Sequence, residues 1–222
     1  EYLRPLVVRG LEAGGTGAKD LLACENMDRG STTFRRLLLD GLPGGAGLRD
    51  ALDERMGFVD TMIARVVAKP KDPLFVLGEE YSEWTGDRHA VRGRGLLAPG
   101  ADLPPDAGPS SIRTLELVDR QDRFLQRKLY IHNTGHAVFG YLGFLRGYTW
   151  IHEAARDPAI LAAAAAAIEE SGWAIQREHG FSEDVIRAYR QALLDKCPSD
   201  ALPDEIHRVV REPLRKLGPT ER

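Results

Sequence analysis

A lysine, an asparagine and a histidine whose side chains suit proton transfer lie in the stretch KLYIHNTGH, residues 128–136. Lys128 can act as a base when burial lowers its pKa, the Asn133 amide can donate to a developing oxyanion, and His136 can hydrogen-bond a hydroxyl. On an α-helix the three fall at about 0°, 140° and 80° around the axis. One small molecule could therefore meet all three, although a solvated helix face explains the same spacing.

A metal site is the alternative for this stretch. His132 and His136 stand four residues apart, the spacing of two histidine ligands on one helix face, but no third ligand is near in sequence. His152 and Glu153 begin like the H-E-x-x-H zinc motif, yet Arg156 stands where the second histidine belongs. We therefore expect no metal, and a histidine-based metal hydrolase remains the competing hypothesis.

Composition excludes several classes of protein. The 222 residues are 43% hydrophobic and carry a formal net charge of -3, so no general attraction to nucleic acid or to an anionic membrane is expected. The two cysteines, Cys24 and Cys197, are far apart and form no C-x-x-C pattern. No segment approaches the ~20 apolar residues of a membrane span. The sequence predicts a cytoplasmic protein.

The chain changes character near residue 115. The first part predicts a helix over residues 2–12, a buried parallel strand in DLLACEN, and a helix through FRRLLLDGL that Asp28 or Ser31 caps. Further strands are predicted in MGFVDTMIARVV and DPLFVLGEEYSEW, followed by a loop over residues 92–111. From Asp119 to about Arg215 almost every segment is helical in pattern. We predict an α/β part, 1–115, followed by an all-α part, 116–222.

The chain contains only two asparagines, and both lie at predicted sites. Asn133 belongs to KLYIHNTGH. Asn26 follows the predicted strand DLLACEN at its C-terminal end, where open α/β sheets place their ligands. This coincidence favours a binding site over a solvated helix face.

Around these residues the sequence resembles the polyol-specific long-chain dehydrogenases, and among them most closely the mannitol-1-phosphate 5-dehydrogenases. The matching segments follow the family's order and span nearly the whole chain: LLACENMDRGST, FVDTMIARV, DPLFVLGEEYSEW, RKLYIHNTGHAVFGYLGFLRGYTWIHEAARDP and VVREPLRKL. The family's catalytic signature is K-x-x-x-x-N-x-x-H, here Lys128, Asn133 and His136. The resemblance implies a Rossmann-like cofactor domain, a helical catalytic domain, and NAD-linked oxidation of a sugar alcohol without a metal.

The resemblance also implies a role for each residue at the reacting end. Lys128 would be the general base. Asn133 and Asn26 would hold the reacting oxygen, with Asn26 also beside the cofactor. His136 would orient a substrate hydroxyl.

Other residues are implied to bind the rest of the substrate. Asp60 matches the family's Val-Asp motif and would bind a hydroxyl. Arg211 and Lys216 fall in the basic C-terminal motif and would hold the far end of the substrate, including a phosphate. Arg208 and Arg215 are close competitors for that role.

The sequence departs from the family in several places. It has no Gly-rich dinucleotide fingerprint, so we expect it to start inside the cofactor domain and to bind NAD poorly by itself. The family continues past PLRKLGPTER with further helices, so we also expect this chain to stop early. Lys196 stands where the family often has arginine, in an Arg-Phe-x-Asn motif. Gln126 stands where we expect glutamate, so its contact to Lys128 is expected to be absent or changed.

The leading hypothesis is therefore an enzyme that interconverts mannitol 1-phosphate and fructose 6-phosphate. A related mannitol 2-dehydrogenase or hexuronate reductase is open as well. A non-catalytic polyol-binding fragment is the alternative from a different class. The resemblance implies a monomer at full length.

Overall fold

The structure is a computed structural model. It describes residues 3–14, 17–25, 27–41, 46–65, 67, 74–75, 77–78, 83–93, 112, 114–201 and 203–216. It divides into a first unit, Glu1–Ala64 with Tyr81–Phe124, and a second unit, Arg65–Glu80 with Leu125–Arg222. The predicted order of α/β followed by all-α is confirmed. The predicted domain ranges, 1–115 and 116–222, stay a prediction.

The first unit begins with a parallel strand pair. Its elements are α1 Leu3–Glu12, β1 Lys19–Leu22, α2 Gly30–Asp40, α3 Ala46–Arg55, β2 Met56–Val59, β3 Thr61–Ala64, β4 Glu83–Asp87, a 3₁₀ turn Arg88–Ala90 and β5 Leu115–Val118. β1 pairs in parallel with β2, from Lys19 opposite Met56 to Leu22 opposite Val59. Helices connect the two strands, as parallel pairing requires. The parallel pairing predicted for DLLACEN is confirmed, but the predicted burial is wrong, because β1 is exposed at Lys19 and half-buried from Asp20 to Leu22.

The chain leaves this pair at Asp60 and starts a second sheet at once. β3 is antiparallel to β4, and β4 is parallel to β5. The single strand predicted in residues 56–67 is wrong, because strands of two different sheets flank Asp60. Both strands are largely buried and apolar, so hydropathy gives no sign of the break. Most of the strand predicted in residues 72–84 and of the loop predicted in residues 92–111 lies outside the described residues.

Ser31 ties the ends of the parallel strands to α2. Its hydroxyl accepts a hydrogen bond from the Ala23 amide at 2.9 Å and donates to the Val59 carbonyl at 2.7 Å. The prediction that Asp28 or Ser31 caps α2 is wrong, because Arg29 occupies the cap position and Ser31 lies inside the helix. Ser31 is fully buried, and its hydroxyl hydrogen-bonds the ends of the two strands instead of the start of the helix.

Two apolar clusters cover opposite sides of β2. The first contains Leu11, Leu38, Leu52 and Phe58, and the second contains Val59, Val91, Leu115 and Leu117. Successive strand residues point to opposite faces, so Phe58 and Val59 enter different clusters. β2 is therefore buried on both faces, as parallel strands are.

The second unit is helical. Its elements are the later part of α4 Gln121–Arg127, a π-helical segment Lys128–Asn133, α5 Thr134–Leu145, α6 Ile151–Arg156, α7 Pro158–His179, α8 Glu183–Lys196, α9 Ile206–Val209 and α10 Pro213–Lys216. The helical pattern predicted from Asp119 to about Arg215 is confirmed, but the π-helical segment lies within it and its last part forms two short helices. Among the described helices, none is both long enough and apolar enough to cross a membrane.

Glycines let other elements approach α5 closely. An added Cβ at three of its glycines would lie within 2.7 Å of a neighbouring side-chain atom: Gly135 against Leu193, Gly140 against Val209, and Gly143 against Ala154. These neighbours belong to α8, α9 and α6. Close packing on several sides fixes α5, and with it the π-helical segment from which it continues.

Replacing Ser31 with alanine tests its role in joining the strands. We expect a loss of about 1–3 kcal/mol in the free energy of unfolding, because the Ala23 amide and the Val59 carbonyl lose a buried partner. Denaturant unfolding and hydrogen exchange of the β1 and β2 amides measure it. The matched control is Thr33→Ala in the same helix, which should change little. Equal stability of the two variants would contradict this role.

Candidate active site

The π-helical segment Lys128–Asn133 carries two residues of the predicted signature, and the third, His136, follows on α5. A π-helical turn closes with an i→i+5 hydrogen bond and holds more residues than an α-helical turn, and such turns are frequent at functional sites. Residues five apart therefore lie closer to one face than the α-helical wheel predicts. Lys128 and Asn133 are five apart, so the structure brings them nearer to one another around the axis than the 140° inferred from sequence.

Buried contacts hold the segment at its start and in its middle. The guanidinium of Arg127 lies over the Tyr189 ring, 4.3 Å from its centroid, and over the Phe181 ring at 5.2 Å. Ile131 is fully buried, and α7 and α8 both contact the segment. The backbone that carries Lys128 is thus packed against the centre of the helical unit.

Lys128 is buried, with 8% of its surface exposed. Burial lowers the pKa of its amine because the ammonium form loses hydration, and the positive charge of Lys196 lowers the pKa further. Lys196 ends α8, three residues after the buried Leu193 that packs against Gly135. A lysine held in this way supplies more of the neutral amine that can accept a proton.

His132 and His136 stack on each other, with ring centroids 5.0 Å apart and planes 20° apart. The pKa of His132 is well below its usual range, first because the ring is buried and then because His136, Lys196 and Lys128 lie near it. His132 is therefore a neutral ring in the packing of the segment.

His136 and Arg208 meet at a carboxylate that the sequence did not single out. Asp204 accepts from Arg208 Nε at 2.7 Å and Nη2 at 2.5 Å, and its Oδ2 lies 3.3 Å from His136 Nε2. Burial alone would raise the pKa of Asp204, but the hydrogen bonds from His136 and Arg208 outweigh it and lower the pKa to about 2. The i,i+4 spacing of Asp204 and Arg208 is the signal that could have found this pair.

The Asn133 side chain is partly buried at the end of the π-helical segment. Within the part of the chain that the structure describes, its amide makes no hydrogen bond. The amide can therefore donate to a ligand oxygen without breaking a bond among those residues. The residue predicted to assist it, Asn26, lies outside the described residues.

The Gln126 side chain contacts the His179 ring. Its Oε1 lies 2.8 Å from His179 Nε2, and His179 is a buried residue at the end of α7. The amide oxygen can only accept, so this contact places the His179 proton on Nε2. Glutamine at this position thus links α4 to α7.

In the first unit, Asp60 follows β2 and faces the first turn of α2. Its Oδ1 accepts from the Thr32 amide at 2.9 Å, and its Oδ2 accepts from the Thr32 hydroxyl at 2.6 Å. Each carboxylate oxygen has a second lone pair, so a substrate hydroxyl can still bind. That role for Asp60 stays a prediction.

The basic residues of the C-terminal motif differ in their surroundings. Arg211 is exposed between α9 and α10, and its Nε donates to the Arg208 carbonyl at 3.4 Å. α10 ends at Lys216, and the structure describes only the backbone of this residue. Their predicted role in binding phosphate stays a prediction.

The histidines of the metal hypothesis have other neighbours. His136 faces Asp204, and the His152 ring stacks on Trp150 with centroids 6.3 Å apart. Across the described ranges, no group of three histidine, cysteine, aspartate or glutamate residues is placed to hold a metal ion.

The strand ends of the first unit fit only part of a dinucleotide. After β1, the Ala23 amide donates to the Ser31 hydroxyl, and the Ala23 carbonyl accepts from the Thr61 hydroxyl at 2.9 Å. These two hydrogen bonds fix the turn at the C-terminal end of the strand. Such an edge suits the reacting end of a dinucleotide. The first turn of α2, where a pyrophosphate would bind, already holds the carboxylate of Asp60. The described residues at this edge thus offer a fixed turn after β1, and the Thr32 amide of α2 is already bonded to Asp60.

Two family models match most of the chain between them. A family model described as the mannitol dehydrogenase Rossmann domain matches residues 3–96, and one described as the mannitol dehydrogenase C-terminal domain matches residues 121–222.

Solved structures are similar in fold. D-sorbitol dehydrogenase in substrate-free form is 18% identical, with a TM-score of 0.71 over 97% of this chain and 44% of that chain. The Pseudomonas fluorescens mannitol 2-dehydrogenase ternary complex with NAD and D-mannitol is 20% identical, with a TM-score of 0.68 over 93% of this chain and 43% of that one. At these identities the likeness concerns the fold alone. The chain spans less than half the length of either protein.

Replacing Lys196 with methionine tests the electrostatics of the site. We expect the pKa of Lys128 to rise toward its ordinary value, because one of the two causes of its depression is removed. Competitive acylation of Lys128 across a pH series, read by mass spectrometry, measures it. Lys196→Arg keeps the charge and is the matched control. If the methionine and arginine variants titrate alike, the charge of Lys196 does not act on Lys128.

Proposed function

This chain belongs to the mannitol dehydrogenase family, and on that premise we propose that it carries the catalytic residues of an NAD-dependent polyol dehydrogenase. The observation that supports this most is a buried lysine with a lowered pKa, Lys128, on the same π-helical segment as the available amide of Asn133. An alcohol that is oxidised to a ketone needs a base for its hydroxyl proton and a donor for its oxygen.

In the proposed reaction the neutral amine of Lys128 takes the proton of the reacting hydroxyl and becomes an ammonium. The Asn133 amide donates to the same oxygen, which carries most negative charge during the transfer. When bound, NAD supplies the acceptor for the hydride. In the reverse direction the Lys128 ammonium returns its proton to the oxygen. Asn26 as a second donor remains part of the proposal.

Mannitol 1-phosphate and fructose 6-phosphate are the proposed substrate pair. Support comes from the basic motif VVREPLRKL, in which Arg211 and Lys216 would bind the phosphate, and from Asp60, which would bind a hydroxyl. Free mannitol and a hexuronate are the alternative substrates. A monomeric state at full length and a cytoplasmic location stay predictions.

NADH formation with mannitol 1-phosphate tests the proposal. It is measured with this chain and with the protein at the full length its gene encodes, and we expect activity at full length. Lys128→Met should lower kcat by about 10²–10⁴-fold, because the general base is lost. Lys19→Met, an exposed lysine in β1, is the matched control and should keep full activity.

Two outcomes would contradict this assignment. Full-length protein that oxidises no polyol with either NAD or NADP would leave only the binding hypothesis, which calorimetry with mannitol then examines. Activity that survives in Lys128→Met would exclude this lysine as the base.

Charge at the C-terminal motif should set the choice of substrate. Arg211→Gln and Lys216→Gln are each expected to raise the KM for mannitol 1-phosphate at least about tenfold, because a charge-assisted hydrogen bond to the phosphate is lost. The KM for free mannitol should change little. Steady-state kinetics with both substrates measures the ratio. If the KM values for mannitol 1-phosphate and for free mannitol rise equally, Arg211 and Lys216 do not bind the phosphate.

A further inference from the structure

A carboxylate and an arginine fix one edge of the His136 ring. Asp204 Oδ2 lies 3.3 Å from His136 Nε2, and the Arg208 guanidinium donates to both oxygens of the same carboxylate. Two parallel N–H donors hold a carboxylate in one orientation, which a single bond does not do. The oxygen that faces His136 therefore has a set position.

The backbone that carries Asp204 is also held in place. The Asp204 carbonyl accepts from the Ile151 amide at 2.9 Å, and the Ile206 amide donates to the Thr149 carbonyl at 2.9 Å. Ile206 is fully buried, and an added Cβ on Gly143 of α5 would lie 2.7 Å from its side chain. His136 lies on α5, the same helix as Gly143. The Asp204 carboxylate and the His136 ring are therefore both carried by closely packed parts of the unit.

The carboxylate decides which ring nitrogen carries the proton. An ionised carboxylate only accepts hydrogen bonds, so His136 Nε2 must donate to it. In the neutral ring, Nδ1 is then an acceptor with a free lone pair. Nδ1 is buried and has no hydrogen-bond partner among the residues that the structure describes. A buried acceptor without a partner is costly, and a ligand hydroxyl that donates to it would remove that cost.

Titratable and charged groups lie on two sides of the His136 ring. Asp204 is matched by Arg208 on one side, and His132 stacks on the other. Lys128 and Lys196 are the positive groups near His132. His136 itself stands three residues after the end of the π-helical segment that carries the proposed base.

We propose that Asp204 is a positioning residue that holds the proton of His136 on Nε2, so that Nδ1 accepts the hydrogen of a polyol hydroxyl. This inference rests on the proposed function. The inference also predicts a substrate preference. A polyol with a hydroxyl next to the reacting carbon should be preferred over its deoxy analogue, because the analogue cannot donate a hydrogen bond to His136 Nδ1.

Nitrogen NMR of the full-length protein tests the tautomer without turnover. With ¹⁵N-labelled histidine, we expect His136 to show a protonated Nε2 and an unprotonated Nδ1, and the Nδ1 resonance to move when mannitol is added. A proton on Nδ1 in the wild-type protein would overturn the inference. So would mannitol binding that shifts other resonances and leaves Nδ1 unchanged.

Kinetics of Asp204→Asn provides the second test. An asparagine can present either its oxygen or its amide to the ring, so the tautomer is no longer fixed and kcat/KM for the polyol should fall about tenfold or more. The 2-deoxy or matching deoxy polyol should lose little, because it makes no bond to Nδ1. Glu205→Gln, the exposed neighbouring acid, is the matched control.

The two proposals fail in different ways. If no polyol is oxidised but His136 shows the Nε2 proton in wild type and loses it in Asp204→Asn, the dehydrogenase proposal fails and the positioning role stands. If polyols are oxidised and Asp204→Asn affects the polyol and its deoxy analogue equally, the positioning role is overturned.

Discussion

The site depends on one constraint, the burial of a lysine amine in the wall of a helical unit. An ammonium loses its hydration on burial. Burial therefore shifts the protonation equilibrium of the lysine toward the neutral amine. Burial is the first cause of the lowered pKa of Lys128, and the charge of Lys196 adds to it. Both causes come from packing, since α8 brings Lys196 toward the segment on which Lys128 lies. At a given pH, Lys128 therefore holds more neutral amine than an exposed lysine does.

The π-helical segment makes this burial compatible with function. In an uninterrupted α-helix, a residue five positions after Lys128 would point well away from it. The wider turn brings Asn133 back toward the same face. Glycines on α5 then let three other helices approach, which holds the turn in place. The unusual backbone and the small residues beside it therefore support the proposal that Lys128 and Asn133 act on one substrate oxygen.

The sequence was sufficient for the order of elements and the signature, and insufficient for what depends on tertiary contacts. The parallel strand β1 and the helices of the second unit follow from apolar patterns that burial enforces. The break at Asp60 left no such pattern, because both adjacent strands are apolar. Ser31 looked like a helix cap and instead joins strand ends, which only the fold could reveal. Asp204 was missed because its partner His136 is 68 positions away in the chain.

The central claim is that the Lys128 amine is the base for a polyol hydroxyl. A crystal structure of the full-length protein with NAD and mannitol 1-phosphate measures this most directly. The account predicts that Lys128 Nζ lies within about 2.6–3.2 Å of the reacting hydroxyl oxygen, with the Asn133 amide also in reach of that oxygen. A substrate bound with its reacting hydroxyl far from Lys128, against another titratable group, would contradict it.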